Sequence, residues 1–159
     1  MISIHDFNVG SSIYSNGMAM AYINIFKPEA INVDLNDDLV QQNITKKEWF
    51  NQNFSDGISI ADVIEKPEKH RNHYDRMVKA DMQYPIIIWK EKKLVTDGNH
   101  RLGHAHMNGH TRIKAFVLDN EIMNKVKLGK FKTPKEYAEV ISKYNLNTII
   151  ELFYKNFCH

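Results

Sequence analysis

The spacing of hydrophobic and polar residues changes from a helical to a strand period near residue 84 of this 159-residue chain. Upstream, apolar residues at helical spacing predict a helix over Glu68–Met82. Before it, Ser59-Ile-Ala-Asp62 has the form of a capping box and predicts a short helix that ends at Pro67. Downstream, Tyr84–Trp89 is a β-branched run with a proline near its start, which predicts a strand.

The centre of the chain predicts a strand–turn–strand–helix–strand unit. After Tyr84–Trp89 come a polar turn and a second short strand, Leu94–Thr96. Asp97-Gly98 interrupts that strand, and Asn99–Asn108 reads as a helix followed by a glycine, as is common at helix ends. Arg112–Leu118 predicts a further strand. Together these elements indicate an α+β fold in which a small mixed sheet is flanked by helices.

The two ends of the chain carry weaker patterns. Residues 1–20 are polar and lack a clear period, so we expect an N-terminal arm or a peripheral hairpin, with residues 21–159 forming a single domain. Ala21–Lys27 predicts a first strand that the next residue, a proline, ends. Lys46–Gln52 predicts a short helix within a polar stretch. Two more helices are predicted near the C-terminus, one capped by Thr133 and one over Asn147–Phe157.

Composition and charge exclude several classes of protein. The chain is 43% hydrophobic and 25% charged, with 21 Lys and Arg against 19 Asp and Glu, as in an ordinary globular domain. No apolar run approaches the roughly 18 residues of a membrane span, so no membrane partner is expected. A single cysteine, Cys158, excludes an internal disulfide framework and favours a reducing, cytoplasmic location. The interspersed charges do not predict a large nucleic-acid interface.

The segment LVTDGNHR, Leu94–Arg101, groups residues that suit the binding of phosphate. A helix begins directly after the glycine turn, and helix N-termini expose N–H groups and the positive end of the dipole. Gly98 lets a ligand approach the backbone, Arg101 offers a planar set of donors, and His100 offers a donor or a proton shuttle. Asp97 can hold Mg²⁺ or accept a proton from a substrate hydroxyl.

A purely structural interpretation of the same turn stays open. In that interpretation Asp97 caps the helix, Arg101 pairs with a surface carboxylate, and His100 is a polar residue with ordinary hydrogen bonds. Short motifs match by chance often enough that residue types alone do not decide between the two interpretations.

Three segments follow one another around this turn: YPIII, LVTDGNHRL and NGHTRIKAFVLD. They resemble the core of the ParB/sulfiredoxin superfamily, which has a proline-led strand, a turn with glycine and arginine that opens a helix, and a further strand. The resemblance covers about Glu68–Asp119 and depends mainly on the turn Asp97–Arg101. The preceding HYDRMVKADMQ is also similar to small ParB-like proteins of large DNA viruses and phages.

The branches of this superfamily differ at the turn. Sulfiredoxins have a catalytic cysteine where Asn99 stands, so sulfinic acid reduction is not expected. Chromosome-partitioning ParB proteins bind CTP, have an arginine where His100 stands, and carry helix-turn-helix and dimerisation domains. The 159 residues are too few for those domains, so a partition role is not expected. Free serine kinases have an Asp-Gly-x-His-Arg turn, which Asp97, Gly98, His100 and Arg101 match best.

The resemblance implies that the turn binds the phosphates of ATP, ADP or CTP. Gly98 and the N–H groups of Asn99–Arg101 would hold phosphate, with the His100 and Arg101 side chains beside it. In the kinase branch the turn's aspartate, Asp97, helps to activate the acceptor hydroxyl, and a glutamate after the first strand contributes to catalysis. Glu29 is the residue placed for the second role.

The predicted function is therefore a Mg²⁺-dependent phosphotransferase or nucleotide hydrolase whose partners are a nucleotide and a small-molecule acceptor. One alternative is a non-catalytic module that binds a nucleotide or DNA. Another is a DNA nuclease, which a second carboxylate near Asp97 would favour.

Three further features have open interpretations. Trp89 ends a strand beside the turn and is a candidate for stacking on a base. The basic stretch Lys125–Lys132 predicts a loop between helices, either a solvated linker or a phosphate contact. Four histidines occur within eleven residues, and they suit either a polar helix surface or a transition-metal site: His100, His104, His106 and His110.

Overall fold

The computed structural model describes residues 5–47 and 57–158. Its internal contacts divide the chain into two compact units, one made of Met1–Pro28 with Asp119–His159 and the other of Glu29–Leu118. Each unit combines a small sheet with helices, so the predicted α+β class is confirmed. Across the two described ranges, every helix is too short or too polar to cross a membrane.

The described elements alternate between short strands and short helices. In chain order they are β1 (Asp6–Val9), β2 (Ser12–Ser15), α1 (Asn16–Phe26), β3 (Ile31–Asp34), α2 (Asp38–Thr45), α3 (Ile60–Glu65), α4 (Arg71–Val78), β4 (Ile86–Trp89), β5 (Leu94–Asp97), α5 (Asn99–Met107), β6 (Arg112–Leu118), α6 (Asn120–Lys125), β7 (Lys127–Lys130), α7 (Pro134–Ser142) and α8 (Leu146–Phe157).

The unit 29–118 is built on a mixed sheet with the strand order β3-β6-β4-β5. β4 and β6 run parallel, whereas the other two neighbouring pairs are antiparallel. The predicted strand–turn–strand–helix–strand unit is thus confirmed, and β6 has the predicted bounds. Its core combines apolar residues of the sheet with residues of the covering helices, among them Ile86, Ile88, Val95, Leu102 and Ile113.

A glycine allows α4 to pack closely against α5. A Cβ atom at Gly103 would lie 2.6 Å from the sulfur of Met77, and Met77 is fully buried. This close approach brings the polar face of α4 beside the first turn of α5. The predicted helix over Glu68–Met82 is shorter in the structure, where it spans Arg71–Val78.

Two of the predicted helix starts are confirmed atom by atom. Ser59 accepts a hydrogen bond from the Asp62 N–H at 3.0 Å, and the Asp62 carboxylate accepts one from the Ser59 N–H at 2.9 Å. Thr133 caps α7 by accepting from the Glu136 N–H at 3.1 Å, with Pro134 in the first turn. These signals lie within four residues of chain, so a single sequence suffices to find them.

The strand predicted over Ala21–Lys27 is wrong, because this segment belongs to the helix α1. The Ser15 side chain caps the helix, and Lys27 ends it with a positive φ of 50°. Tyr22 and Phe26 lie one turn apart and stack with ring centroids 5.1 Å apart, which favours the helix over the strand that their types suggest. The hairpin interpretation of the N-terminus is confirmed by the antiparallel pairing of β1 with β2.

Three polar segments differ from their predictions or lie partly outside the described residues. The basic stretch Lys125–Lys132 is not only a loop, because Lys127–Lys130 forms β7 and pairs with β2. The polar stretch after Pro28 holds β3 and α2, which the sequence patterns did not predict. The helix predicted over Lys46–Gln52 lies outside the described residues except for Lys46 and Lys47, which follow the end of α2.

Candidate functional site

The turn between β5 and α5 forms the N-terminus of the helix α5. Asp97 is the last residue of β5, and Gly98 stands at the N-cap of α5 with φ of 103°. The first intrahelical bond runs from the Leu102 N–H to the Gly98 carbonyl at 2.9 Å. The N–H groups of Asn99–Arg101 therefore precede the helical hydrogen-bond ladder, which is the arrangement that attracts anions.

Gly98 is required by both conformation and space. A φ of 103° is disfavoured for residues with a side chain. A Cβ atom at this position would lie 2.5 Å from Cγ2 of Ile86 and 2.9 Å from Nη2 of Arg101. The glycine therefore lets the turn lie against β4 and against the guanidinium of its own helix.

Among the described residues, one nitrogen of Arg101 makes the hydrogen bonds that hold this side chain at the turn. Nη2 donates to Oδ2 of Asp97 at 2.9 Å and to the Pro85 carbonyl at 3.4 Å. Nε is buried and has no hydrogen-bond partner among the described residues. The Asp97 and Arg101 side chains are 31% and 21% exposed, so the pair stays accessible to a ligand. The purely structural interpretation of the turn included an ion pair between Arg101 and a carboxylate, and Arg101 does make such a pair, with Asp97.

His100 makes a hydrogen-bonded pair with a histidine of α4. Its Nε2 lies 2.9 Å from Nδ1 of His73, and the two rings stack with centroids 5.2 Å apart. Burial, with smaller contributions from the nearby Arg76, His73 and Arg101, lowers the pKa of His100 to about 4. Burial and the charges of Arg76 and His70 also lower the pKa of His73. Both imidazoles are therefore neutral at physiological pH.

An open cleft of about 680 Å³ lies between α4 and the first turn of α5. We refer to it as the α4–α5 cleft. Its walls carry three cations, Arg76, Lys79 and Arg101, together with His100 and the carboxylates Asp75 and Asp81. The α4 residues were not predicted as site residues, although Asn72, Arg76 and Lys79 share one helix face at spacings of four and three residues.

The structure separates Glu29 from the turn. Glu29 is exposed and follows α1, not a strand, and it lies just before the edge strand β3. Asp97 ends β5 at the other edge of the sheet, with β6 and β4 in between. Three strand spacings put the two edges roughly 14 Å apart. Asp97, Gly98, Asn99, His100 and Arg101 are therefore brought together, and Glu29 is not among them.

The four histidines His100, His104, His106 and His110 do not form one site. His104 Nδ1 lies 2.8 Å from the Met77 carbonyl, so this nitrogen carries the proton and donates. His106 and His110 are exposed. Within residues 5–47 and 57–158, no three His, Cys, Asp or Glu side chains are grouped closely enough to hold a metal ion.

Trp89 cannot stack on a ligand, because it is 2% exposed. Tyr84, five residues earlier, is 61% exposed. Tyr84 precedes β4 at the end of that strand next to Asp97, whereas Trp89 lies at the other end of β4.

Comparisons with protein-family models, with curated proteins and with solved structures give no match to this chain. A functional proposal therefore depends on the chemistry of the turn and the α4–α5 cleft. That chemistry is three cationic side chains, two carboxylates, a helix N-terminus and a neutral imidazole around an open space. It suits an anionic ligand with several oxygen acceptors.

Proposed function

We propose that the protein binds the phosphates of a nucleotide in the α4–α5 cleft and acts as a Mg²⁺-dependent phosphotransferase or nucleotide hydrolase. The observation that supports this most directly is the convergence of Arg76, Lys79 and Arg101 on one cleft at the start of α5. The resemblance of the turn to the ParB/sulfiredoxin superfamily agrees with it and supplies the nucleotide as the class of ligand.

The charges of the cleft favour a ligand over an internal partner. Arg76 and Lys79 line the cleft, and neither makes an ion pair within the described parts of the chain. Asp81 accepts hydrogen bonds from Gln83, and these bonds together with the charge of Arg101 lower its pKa, so Asp81 contributes a negative charge to the cleft. The cleft carries three cations against two carboxylates, and a bound phosphate would add negative charge beside Arg76 and Lys79. A volume of about 680 Å³ lies within the range of small-molecule sites.

The residues of the turn fit a magnesium ion that arrives with a nucleotide. Oδ2 of Asp97 binds Arg101, while Oδ1 makes no hydrogen bond with the described residues. Mg²⁺ often uses one or two carboxylates and takes its other ligands from substrate phosphates and water. Asp97 would hold the ion through Oδ1, and the ion would neutralise charge on the phosphates.

The resemblance implies that His100 lies beside the phosphate, and its pKa decides the charge state in which it would act. With a pKa of about 4 it carries no charge at pH 7, so it does not hold phosphate as a cation. It would act as a neutral hydrogen-bonding group beside Arg101. The transition state of phosphoryl transfer is stabilised mainly by positioned charge, which Arg76, Lys79 and Arg101 would provide.

Titration calorimetry with pyrophosphate and ADP, with and without Mg²⁺, tests the binding proposal. The variants Arg76→Ala and Arg101→Ala should each weaken pyrophosphate binding by about tenfold, because each removes a charge-assisted contact. Arg112→Ala is the matched control, since Arg112 pairs with Asp34 on the opposite edge strand. Binding that all three variants leave unchanged would exclude the α4–α5 cleft.

Phosphate release from ATP, with and without a hydroxyl acceptor such as serine, tests turnover. Asp97→Ala should abolish Mg²⁺-dependent turnover while pyrophosphate still binds without metal. A wild-type protein that binds ADP and shows no release or transfer would be a binding module instead of an enzyme.

A further inference from the structure

One exposed aromatic side chain lies in the segment that leads into the phosphate-binding turn. Tyr84 is 61% exposed, and it makes no ring contact with the described residues. The next residue, Pro85, accepts a hydrogen bond through its carbonyl from Nη2 of Arg101 at 3.4 Å. Since consecutive Cα atoms are about 3.8 Å apart, the backbone of Tyr84 lies close to the guanidinium.

The segment that carries Tyr84 is held on both sides. Upstream, Asp81 accepts from the Gln83 N–H at 3.1 Å and from the Gln83 side-chain amide at 3.0 Å, which closes a local turn. Downstream, Pro85 restricts the backbone of Tyr84 to extended conformations. An exposed ring on a fixed backbone loses little conformational entropy when a ligand covers it.

The other described aromatic residues of the unit 29–118 do not offer an open face. Trp89 is 2% exposed, and Tyr74 and Phe116 are half-buried. Asp81, next to the Tyr84 segment, and Arg101 both line the α4–α5 cleft. The ring is thus attached at the margin of the cleft whose cations are proposed to bind phosphate.

We infer that Tyr84 is the base-stacking residue of this site, so that the ligand is a nucleotide rather than an inorganic polyphosphate or a sugar phosphate. The inference rests on the proposed function. The phosphates would contact Arg101, Arg76 and Lys79, and the base would lie on the Tyr84 ring. Stacking on an aromatic face tolerates every base, so the ring selects for the presence of a base and not for its identity.

Calorimetric titration of the full chain with ADP and with pyrophosphate, in parallel, tests the inference. Wild-type protein should bind ADP more tightly than pyrophosphate. Tyr84→Ala should lose about tenfold in ADP affinity, as expected for one base–aromatic stack, and leave pyrophosphate affinity unchanged. Tyr84→Phe should retain ADP affinity, because it keeps the ring. Tyr154→Ala is the matched control, since Tyr154 is 58% exposed and belongs to the other unit.

The outcomes distinguish a failure of the proposed role of Tyr84 from a failure of the proposed phosphate binding. If wild-type protein binds neither ligand, the proposed function fails. If pyrophosphate binds and Tyr84→Ala holds ADP as tightly as wild type, phosphate binding stands and the role of Tyr84 is refuted. A parallel loss of ADP and pyrophosphate in Tyr84→Ala would mean that the ring only supports the fold, which also refutes base stacking.

Discussion

Replacing Gly98 by alanine tests whether the turn at Asp97–Arg101 needs a residue without a side chain. Two separate penalties are expected. The φ of 103° is unfavourable for alanine, at roughly 1–2 kcal/mol. The added Cβ would also lie 2.5 Å from Cγ2 of Ile86, and overpacking of this kind costs about 1–3 kcal/mol.

The two penalties can be separated by a second glycine. Gly109 follows α5 with a φ of 70°, and a Cβ built there meets nothing within 4 Å. Gly109→Ala therefore suffers only the conformational penalty, at roughly 1–2 kcal/mol. Ile86 is fully buried in the core, so its displacement from Gly98 would disturb the packing around it. Gly98→Ala should thus lower the free energy of unfolding by about 2–5 kcal/mol, more than the control.

Urea denaturation at 25 °C, followed by circular dichroism, measures both variants against wild type. Pyrophosphate binding supplies a second readout, because the new methyl group would also displace Nη2 of Arg101, 2.9 Å away. Gly98→Ala should weaken that binding, and Gly109→Ala should not. Equal destabilisation by the two variants would refute the close packing of the turn against β4.

Three further predictions follow from contacts around the cleft. The contribution of neutral His100 to the free energy of unfolding should be complete above pH 6.5 and should be lost as the pH falls toward 4, because the unfolded chain binds the proton more tightly than the folded chain. In urea denaturation, His100→Gln should reduce the pH dependence of the free energy of unfolding between pH 6.5 and 4. The variant of the exposed His106, His106→Gln, should not reduce it. Asp97→Asn should strengthen metal-free pyrophosphate binding by about two- to fivefold, because the Asp97 carboxylate no longer competes with pyrophosphate for Arg101. Weaker binding by this variant would contradict that competition. Gly103→Ala should lower stability by about 1–3 kcal/mol, because a Cβ 2.6 Å from the Met77 sulfur must displace this buried side chain of α4. It should also reduce pyrophosphate affinity, because α4 carries Arg76. A thermal unfolding midpoint equal to that of wild type would contradict this packing.

The elements that the sequence predicted well are those with local signals. The strand–turn–strand–helix–strand unit is marked by a change of period, by Asp97-Gly98 and by Gly109, all of which act within a few residues. α1 was missed because Tyr22 and Phe26 are strand-favouring residue types. Their four-residue spacing gives them neighbouring positions on a helix, and the ring stacking between them overrides the intrinsic preference.

The candidate site was predictable only on the α5 side. Asp97–Arg101 is contiguous in sequence, so its chemistry was visible without a structure. Arg76 and Lys79 join it through the packing of α4 on α5, which depends on the absence of a side chain at Gly103. The hydrogen bond between His73 and His100 spans 27 residues, and no local pattern encodes it. That bond accompanies the burial that keeps His100 neutral at pH 7.

The low pKa of His100 also couples protons to ligand binding. Burial is its largest cause, but the charges of Arg76 and Arg101 contribute, and a bound anion would offset both. Anion binding should therefore raise the pKa of His100, and by linkage the anion should bind more tightly at pH 5 than at pH 7. Sulfate is the suitable probe, because it keeps its charge across this range while phosphate does not. Calorimetry should show the gain in wild type and its loss in His100→Gln. A gain of equal size in both would assign the effect to other titrating groups and would separate His100 from the anion site.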